Sequence, residues 1–314
     1  MSLCCFGGVL SARRRASSRR RSTFLSLSCS SVVLDMQTFE MRNAKFGLLN
    51  RCIYGDDEDH FDPNGYGDEH IIPIFLGQKG YIKNASCHKC ERETSGVESY
   101  CAKEIFGELR AHHKIKGRKR SARKRCPHTS FPMKLTLCGK QSVHKVEAKY
   151  HPSLLVLPSF PWPGIMLNKE PNATWNDGRI HCWQFGPARR LVGEYLAEMQ
   201  ASEWEVSKTT KIFPFVRLIA KIGHAFAIAT CGYGSFQPML PPLILGKSDA
   251  PNAAYLVGGE LEAPPPSERE HELGIIKVDN SDLLVAYVRL FANIGTPAYY
   301  AVVGRDLRSQ RRPE

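Results

Sequence analysis

Residues 68–73 read Asp-Glu-His-Ile-Ile-Pro, and residues 87–91 read Cys-His-Lys-Cys-Glu, with Asn84 between the two stretches. A carboxylate beside an imidazole can hold a hard cation and activate water, because histidine titrates near neutral pH. Two cysteines separated by two residues can both reach one tetrahedral zinc ion. These stretches predict a small metal-binding module with a zinc anchor, and the remainder of the chain is arranged around it.

The positive charge of the chain is concentrated in two short runs. The net charge is +12 over 314 residues, and six arginines (residues 13–15 and 19–21) precede the first acid, Asp35. Eight Lys and Arg residues fall between Lys114 and Arg125 with no acid among them, and the remaining sequence is close to neutral. Local basic runs on a near-neutral body indicate contact with a polyanion.

The cysteine count and the N-terminal segment bear on the cellular compartment. Eleven cysteines form an odd set, and no clear secretory signal precedes them, so we expect a reducing compartment, the cytoplasm, and metal-bound or buried thiols. Residues 1–34 are rich in Ser and Arg, which leaves three alternatives: an organelle transit peptide, a disordered basic arm, or an upstream start that is not used, with Met36 and Met41 as later starts.

Periodicity and turn residues predict an α+β protein. We expect a basic tail (residues 1–45), the metal-binding module (46–113), a basic linker (114–130) and an α+β domain with an antiparallel sheet (131–314), whose role the sequence does not indicate. Alternation in residues 133–137 and 143–150 predicts a hairpin. Cys52-Ile53-Tyr54 is predicted as a short strand, and a Ser-x-x-Glu capping box predicts a helix start near Ser95.

No apolar run approaches the roughly 20 residues of a membrane-spanning helix. The most apolar stretch, Leu218 to Thr230, contains Lys221 and His224. We therefore expect no membrane partner.

The combination of Glu69-His70-Ile71-Ile72-Pro73, Asn84 and Cys87-x-x-Cys90 resembles the HNH endonucleases, most closely the branch that has Glu-His-Ile-Ile-Pro and a four-cysteine zinc frame. The resemblance covers about Arg51 to Leu109. It implies a ββα-metal fold in which two strands and a helix hold one catalytic divalent cation. By motif position, His70 is the general base, Glu69 the metal-binding acid, and Asn84 the residue that holds the loop and orients the His70 ring.

The chemistry of phosphodiester hydrolysis agrees with these roles. The reaction needs a positioned nucleophile and a cation that absorbs charge developing on the phosphate. Carboxylates such as Glu69, with Glu91 or Asp68 as further candidates, favour Mg²⁺ or Mn²⁺ over soft metals.

Two positions depart from the family pattern. Gly55 stands where the family has the second cysteine of its first Cys-x-x-Cys pair, so zinc would have Cys52, Cys87 and Cys90, with the fourth position open or filled by Asp56, His60, His88 or water. Glu91 stands where the family usually has Asn or His. These departures keep a catalytically inactive copy of the module as an alternative.

The basic run that follows the module predicts nucleic-acid binding. If about six of its charges contact phosphate, binding to duplex DNA should weaken with salt at a log–log slope of roughly −5. DNA is the expected partner, with RNA as the alternative, and the sequence does not indicate an oligomeric state. The predicted contact residues are Lys116, Arg118, Lys119, Arg120, Arg123, Lys124 and Arg125.

Three functional hypotheses follow from these observations. The leading one is an HNH-type endonuclease that hydrolyses phosphodiester bonds in DNA with Mg²⁺ or Mn²⁺ and a structural zinc. The second is a zinc-stabilised nucleic-acid-binding protein that has lost catalysis. In the third, the C-terminal domain carries the main function, and the metal-binding module is a recognition appendage to it.

Overall fold

The computed structural model describes residues 45–77, 80–115, 129–247, 251–278 and 281–307. Within them the chain is a mixed α+β protein whose strands pair in an antiparallel way, apart from one parallel pair. The α+β class expected from the sequence is confirmed at this level. The Ser/Arg-rich residues 1–34 and the basic residues 116–125 lie outside the described residues.

The N-terminal part contains a three-stranded sheet followed by helices. The strands are β1 (Lys45–Leu48), β2 (Gly67–His70) and β3 (Tyr81–Ser86), in the order β1-β3-β2. β2 and β3 are antiparallel, and β1 lies parallel to β3. The helices are α1 (His88–Tyr100) and α2 (Gly107–His112), joined by a π-helical turn at Cys101–Ile105.

Two local predictions in this part were wrong. Cys52-Ile53-Tyr54 forms a turn and not a strand, although the Ile53 amide donates to the Ala85 carbonyl at 2.9 Å and ties the turn to β3. The helix expected to start near Ser95 begins at His88, because Asp62 Oδ2 accepts a hydrogen bond from the His88 amide at 2.8 Å and satisfies the start of the helix there.

The central part contains two small sheets. The first has the order β5-β4-β8 and the second pairs β6 with β7. The β4–β5 pair is the hairpin that alternation predicted, closed by Cys138 and Gly139, both at positive φ. The elements are β4 (Ser130–Leu137), β5 (Lys140–Glu147), β6 (Ser153–Ser159), β7 (Arg179–Phe185), α3 (Arg189–Glu198) and β8 (Ala201–Glu205).

The C-terminal part is an antiparallel sheet with one long helix packed on it. The sheet order is β10-β13-β12-β11, with β9 paired to β13. β12 and β13 are almost entirely buried, as expected for central strands. The elements are α4 (Ile212–Cys231), β9 (Phe236–Pro238), α5 (Pro241–Leu245), α6 (Ala253–Leu256), β10 (Val257–Gly259), β11 (His271–Lys277), β12 (Leu283–Leu290) and β13 (Tyr299–Asp306).

Helix α4 is the centre of the molecule. It packs against β12 and β13 on one side and against α1 on the other. By length and composition it is the one helix among the described residues that could cross a membrane, but 72% of its most apolar window is buried inside the protein, which is the position of a core helix. The N-terminal part and the C-terminal sheet therefore share one continuous hydrophobic core across α4.

Candidate metal centre

Four ligand-type side chains meet in the N-terminal part. The ligating atoms of Cys52, His60, Cys87 and Cys90 all lie within 4.8 Å of one another, and all four side chains are buried. Three thiols and one imidazole at this spacing are suited to hold a metal ion such as zinc, which takes four sulfur or nitrogen ligands in tetrahedral geometry. The structure brings the three predicted cysteines together and adds a histidine.

Local structure explains why the three thiols converge. Cys87 precedes the first residue of α1 and Cys90 lies in its first turn, so the two intervening residues bring both sulfur atoms to one side of the helix start. The turn that carries Cys52 is tied to β3 by the Ile53–Ala85 hydrogen bond, one residue from Cys52 and two from Cys87. Pairing of the turn with β3 therefore places Cys52 beside the Cys-x-x-Cys pair.

His60 provides the fourth ligand position. A short 3₁₀ turn at Glu58–His60 directs its ring into the space beside Gly55, where an added Cβ would lie 2.3 Å from Cδ2 of His60. Glycine at position 55 thus leaves room for an imidazole. Of the alternatives that the sequence left open, the structure selects His60.

The two ring nitrogens of His60 have different neighbours. Nδ1 lies 3.3 Å from Cys90 Sγ, on the side of the thiol cluster, and Nε2 lies 3.9 Å from Asp57 Oδ1. Metal-binding histidines usually direct the second nitrogen to a carboxylate or carbonyl, which keeps the metal-facing nitrogen unprotonated. The geometry makes Nδ1 the ring nitrogen that faces the thiols, whereas Asp57 lies beyond hydrogen-bond distance of Nε2.

The three thiols strongly affect one another's protonation. The pKa of Cys52 is lowered to about 5, chiefly because the Cys90 thiol donates it a hydrogen bond. The pKa of Cys90 is raised, first by that hydrogen bond and then by burial, and burial also raises the pKa of Cys87. Without a cation the cluster favours a single thiolate, so metal binding must release further protons.

Glu69, the predicted metal-binding acid, is bound elsewhere. It is 4% exposed, and its Oε1 lies 2.6 Å from Nζ of Lys221 on α4. The same ammonium lies 2.7 Å from Glu98 Oε1 and donates to the His70 carbonyl at 2.5 Å. Burial by itself would lower the pKa of Lys221, but the two carboxylates reverse this effect and raise it, so Lys221 stays charged.

The expectation that Glu69 and Glu91 share a divalent cation therefore finds no support. Glu69 points into the core, on the opposite face of β2 from His70, because neighbouring residues in a strand alternate. Glu91 lines a cavity of about 420 Å³ with Asp62, Tyr66 and His88. Across the described ranges, the cysteine–histidine cluster is the one group of three or more potential ligands that meets at metal-binding distances.

Asn84 connects β3 to β2 and to the segment after β1. Its backbone is left-handed (φ 51°), and its amide nitrogen donates to Asp68 Oδ1 at 3.1 Å. Its side-chain Nδ2 donates to Asn50 Oδ1 at 2.8 Å. These bonds tie β3 to β2 and to the segment after β1, which is a loop-holding arrangement, whereas orientation of the His70 ring by Asn84 stays a prediction.

His70 itself lies at the end of β2 and is half-buried. Its ring centroid is 5.7 Å from that of Tyr81, its register partner on β3. The predicted nucleic-acid contacts from Lys116 to Arg125 lie outside the described residues.

Sequence reasoning did not identify Lys221 or Glu98 as partners of Glu69 or of one another. A lysine in the middle of an apolar helix was the available signal for Lys221, because a buried ammonium needs carboxylate partners. The missing cysteine at position 55 was the signal for a ligand elsewhere in the same loop.

Comparison of the chain with protein-family models, with curated proteins and with solved structures found no match.

Proposed function

We propose that this protein is a zinc-stabilised nucleic-acid-binding protein, built on an HNH-type module that binds DNA without using Glu69 as a catalytic metal ligand. The observation that favours this proposal over hydrolysis at Glu69 is the buried ion pair between Glu69 and Lys221. A divalent cation at Glu69 would lie against a fully buried ammonium group that also binds Glu98, and the two positive charges would repel each other. The carboxylate to which the family resemblance assigns the catalytic cation is instead part of the core.

The metal centre supports a structural role for zinc. Structural zinc sites are closed by four protein ligands, whereas catalytic zinc sites keep one position for water or substrate. Cys52, His60, Cys87 and Cys90 supply four ligand positions, all buried. Zinc here would hold the turn around Cys52 and the loop around His60 against the start of α1.

The nucleic-acid part of the proposal rests on charge. Seven Lys and Arg residues follow one another closely from Lys116 to Arg125, directly after α2 and its C-terminal turn. Such a run contacts phosphates and positions a protein on nucleic acid without reading its sequence. DNA is the proposed ligand, and RNA is the second probe in the test.

The test compares two sets of charge changes on the zinc-loaded full chain. Arg118→Gln, Lys119→Gln and Arg120→Gln together should make the salt dependence of duplex DNA binding shallower by about 2.7 in log–log slope, because three phosphate contacts are lost. The matched control changes Lys140, Lys145 and Lys149 to Gln on and just after β5, and should leave the slope unchanged. No retention of DNA or RNA at low salt, or equal loss from both sets, would reject the proposal.

A second candidate function, phosphodiester hydrolysis, is favoured by one observation. Asp68 and His70 lie on the same, outward face of β2, and the Asn84 amide holds the exposed Asp68 carboxylate. A cation held by Asp68 would lie on the His70 side of the strand, with His70 as general base.

Plasmid nicking distinguishes the two candidates. If hydrolysis occurs, purified protein nicks plasmid with Mg²⁺ or Mn²⁺, both His70→Ala and Asp68→Asn abolish nicking, and His144→Ala on β5 leaves it intact. Intact plasmid across a screen of both metals and of salt, with zinc content confirmed, would reject this candidate and leave binding alone.

A further inference from the structure

His271, the first residue of β11, joins the C-terminal sheet to the N-terminal part. Its ring Nε2 donates to the carbonyl oxygen of Leu76 at 3.0 Å, and its Nδ1 accepts a hydrogen bond from the backbone amide of Phe291 at 3.0 Å. Leu76 ends the 3₁₀ turn Ile74–Leu76, which follows β2, and Phe291 follows β12. We refer to His271, Leu76 and Phe291 as the His271 joint.

The two hydrogen-bond partners fix the protonation state of the ring. A carbonyl oxygen can only accept a hydrogen bond, and a backbone amide can only donate one. The His271 ring therefore carries its proton on Nε2 and leaves Nδ1 unprotonated. A second proton, on Nδ1, would set two N–H donors against each other across the 3.0 Å between Nδ1 and the Phe291 nitrogen. The joint is compatible only with the neutral imidazole.

Phe291 has a backbone conformation that a bulky residue rarely adopts. It is left-handed, with φ 58° and ψ 46°, and its side chain is buried. Such a residue persists only where its surroundings hold it in place. The bond to His271 is one restraint, and ring packing is another, with centroids 4.8 Å from His271 and 5.8 Å from Phe106 of the N-terminal part. Loss of the amide bond would remove one restraint at a point where both parts of the protein meet.

The charged groups around the ring do not offset its burial. Burial lowers the pKa of His271, whereas the hydrogen bond to the 3₁₀ turn and the Glu270 carboxylate raise it by less. Glu272 lies on the opposite face of β11, 3.5 Å from Arg289 of β12. The 3₁₀ turn contributes three apolar side chains, and Arg110 of α2 adds a positive charge 5.7 Å from the centroid of its aromatic ring.

We propose that His271 is an acid-sensitive latch between the N-terminal part and the C-terminal sheet, a property that goes beyond the proposed nucleic-acid binding. A proton from solvent binds Nδ1, the hydrogen bond from the Phe291 amide breaks, and the Phe291 backbone leaves the left-handed region. The charged ring moves toward water, since its burial is costly, and the turn Ile74–Leu76 loses its attachment to β11. The Lys221–Glu69 ion pair is not part of the joint and keeps the rest of the interface closed.

The direction of the pH effect follows from the two states of the ring. The pKa of His271 is lowered in the closed joint, and it returns to about 6.5 when the ring is exposed in the open joint. The open joint therefore binds the proton more tightly. Its population should rise by up to about tenfold per pH unit as the pH falls below about 6.5, and the joint should be fully stable above that pH.

The experiment uses NMR of the zinc-loaded, ¹⁵N-labelled full chain between about pH 7.5 and about pH 5.5, with zinc content confirmed at each pH. At the upper pH the His271 ring nitrogens should report a proton on Nε2 alone. The reporters of opening are the amides of Phe291 and of Ala292, which donates to the Glu270 carbonyl at 2.8 Å. Their hydrogen exchange, corrected for the intrinsic rate, should accelerate in acid by up to about tenfold per unit and stay faster than that of the β12–β13 ladder.

Two variants remove the titration and keep one hydrogen bond each. His271→Asn can still accept from the Phe291 amide, and His271→Gln can still donate to the Leu76 carbonyl. Both variants should lose the acid-induced acceleration, because neither side chain titrates. His181→Gln is the matched control: His181 Nε2 lies 3.2 Å from the Leu261 carbonyl oxygen, outside the joint, and the variant should keep the acceleration.

A proton on Nδ1 at neutral pH, or unchanged protection of the Phe291 amide in acid, would overturn the proposed latch. Acid-induced acceleration that persists in either His271 variant, or that disappears in His181→Gln, would overturn it as well. So would exchange of the Phe291 amide no faster than that of the β12–β13 ladder, because the joint would then open only when the whole protein unfolds.

Discussion

A Cβ at position 55 would lie 2.3 Å from Cδ2 of His60 and 2.5 Å from its Nε2, distances that no real contact allows. Gly55 and His60 are therefore linked, since the imidazole reaches the thiols because position 55 has no side chain. At the scale of single residues, the fourth ligand position of the metal centre is thus His60, five residues beyond the glycine that makes room for its ring.

This link predicts a compensating pair of substitutions. His60→Ala should lower zinc affinity by at least about tenfold, because the site loses one of four ligands. Adding Gly55→Cys to that variant should recover most of the loss, since the new thiol enters the space that the ring has left. Competition with a chromophoric chelator measures both affinities.

Gly55→Ala alone should also weaken zinc binding, because the new methyl group would displace the His60 ring. Gly96→Ala is the control: no atom lies within 4 Å of its added Cβ, and alanine in the middle of α1 should stabilise the helix by up to about 1 kcal/mol. Unchanged zinc affinity in both His60→Ala and Gly55→Ala would exclude His60 as a ligand.

Among the secondary-structure elements, α4 has two buried polar residues that both face the N-terminal part. Lys221 binds Glu69 of β2 and Glu98 of α1, and His224 Nε2 donates to the Ile53 carbonyl at 2.7 Å. These contacts fix the position of the three-stranded sheet and of α1 against α4.

Removing the ammonium group of Lys221 should lower the free energy of unfolding far more than removing a charge at the surface. Lys221→Met leaves the buried carboxylate of Glu69 and the half-buried carboxylate of Glu98 without their partner, and should lower the free energy of unfolding by about 3–5 kcal/mol. Replacing Glu69 by Leu in the same chain should recover part of this loss, because one uncompensated charge is then removed. Urea unfolding measures the stability of the wild type, of Lys221→Met and of the double variant.

Lys149→Met provides the control for that experiment. The Lys149–Glu147 ion pair is exposed on both sides, so its removal should change stability little. Equal losses in Lys149→Met and Lys221→Met would contradict the role assigned to the buried ammonium.

His224 predicts a pH dependence. Burial lowers its pKa to about 4, whereas in the unfolded chain it titrates near 6.5. Between these values the unfolded state binds the extra proton, so stability should fall as the pH decreases from about 6.5 to about 4, by on the order of 3 kcal/mol.

The measurement compares the slope of unfolding free energy against pH in wild type and in His224→Gln, which keeps a donor for the Ile53 carbonyl. The variant should show the shallower slope in this window. Identical slopes would show that His224 does not titrate on unfolding.

At the scale of the whole molecule, the metal centre and the C-terminal sheet belong to one core. Cys52, Cys87 and Cys90 are part of the same buried cluster as α4 and β12. The predicted division at residues 114–130 separates two parts of the sequence, whereas their apolar side chains pack together.

Metal removal should therefore destabilise the described protein as a unit. Zinc binds only the folded arrangement of its ligands, so chelation should lower the melting temperature by on the order of 10 °C while calorimetry still shows one transition. Two separate transitions, with only the first affected by the chelator, would show that the N-terminal part unfolds independently.

Features that depend on residues close in sequence were determined by the sequence alone. The Cys87-x-x-Cys90 pair, the β4–β5 hairpin and the antiparallel C-terminal part follow from spacing, alternation and turn residues, which act over a few positions. The short strand at Cys52 was wrongly predicted because three apolar residues fit a turn packed on a sheet as well as they fit a strand.

Only the tertiary structure decided the fourth metal ligand and the partner of Glu69. His60 competed with Asp56 and His88 for the ligand position, and the space left at Gly55 selected it. The carboxylate of Glu69 meets an ammonium group more than 150 positions away, because strand alternation turns it inward and α4 passes beneath it. Such contacts depend on how whole elements pack, and no local pattern of residues records that packing.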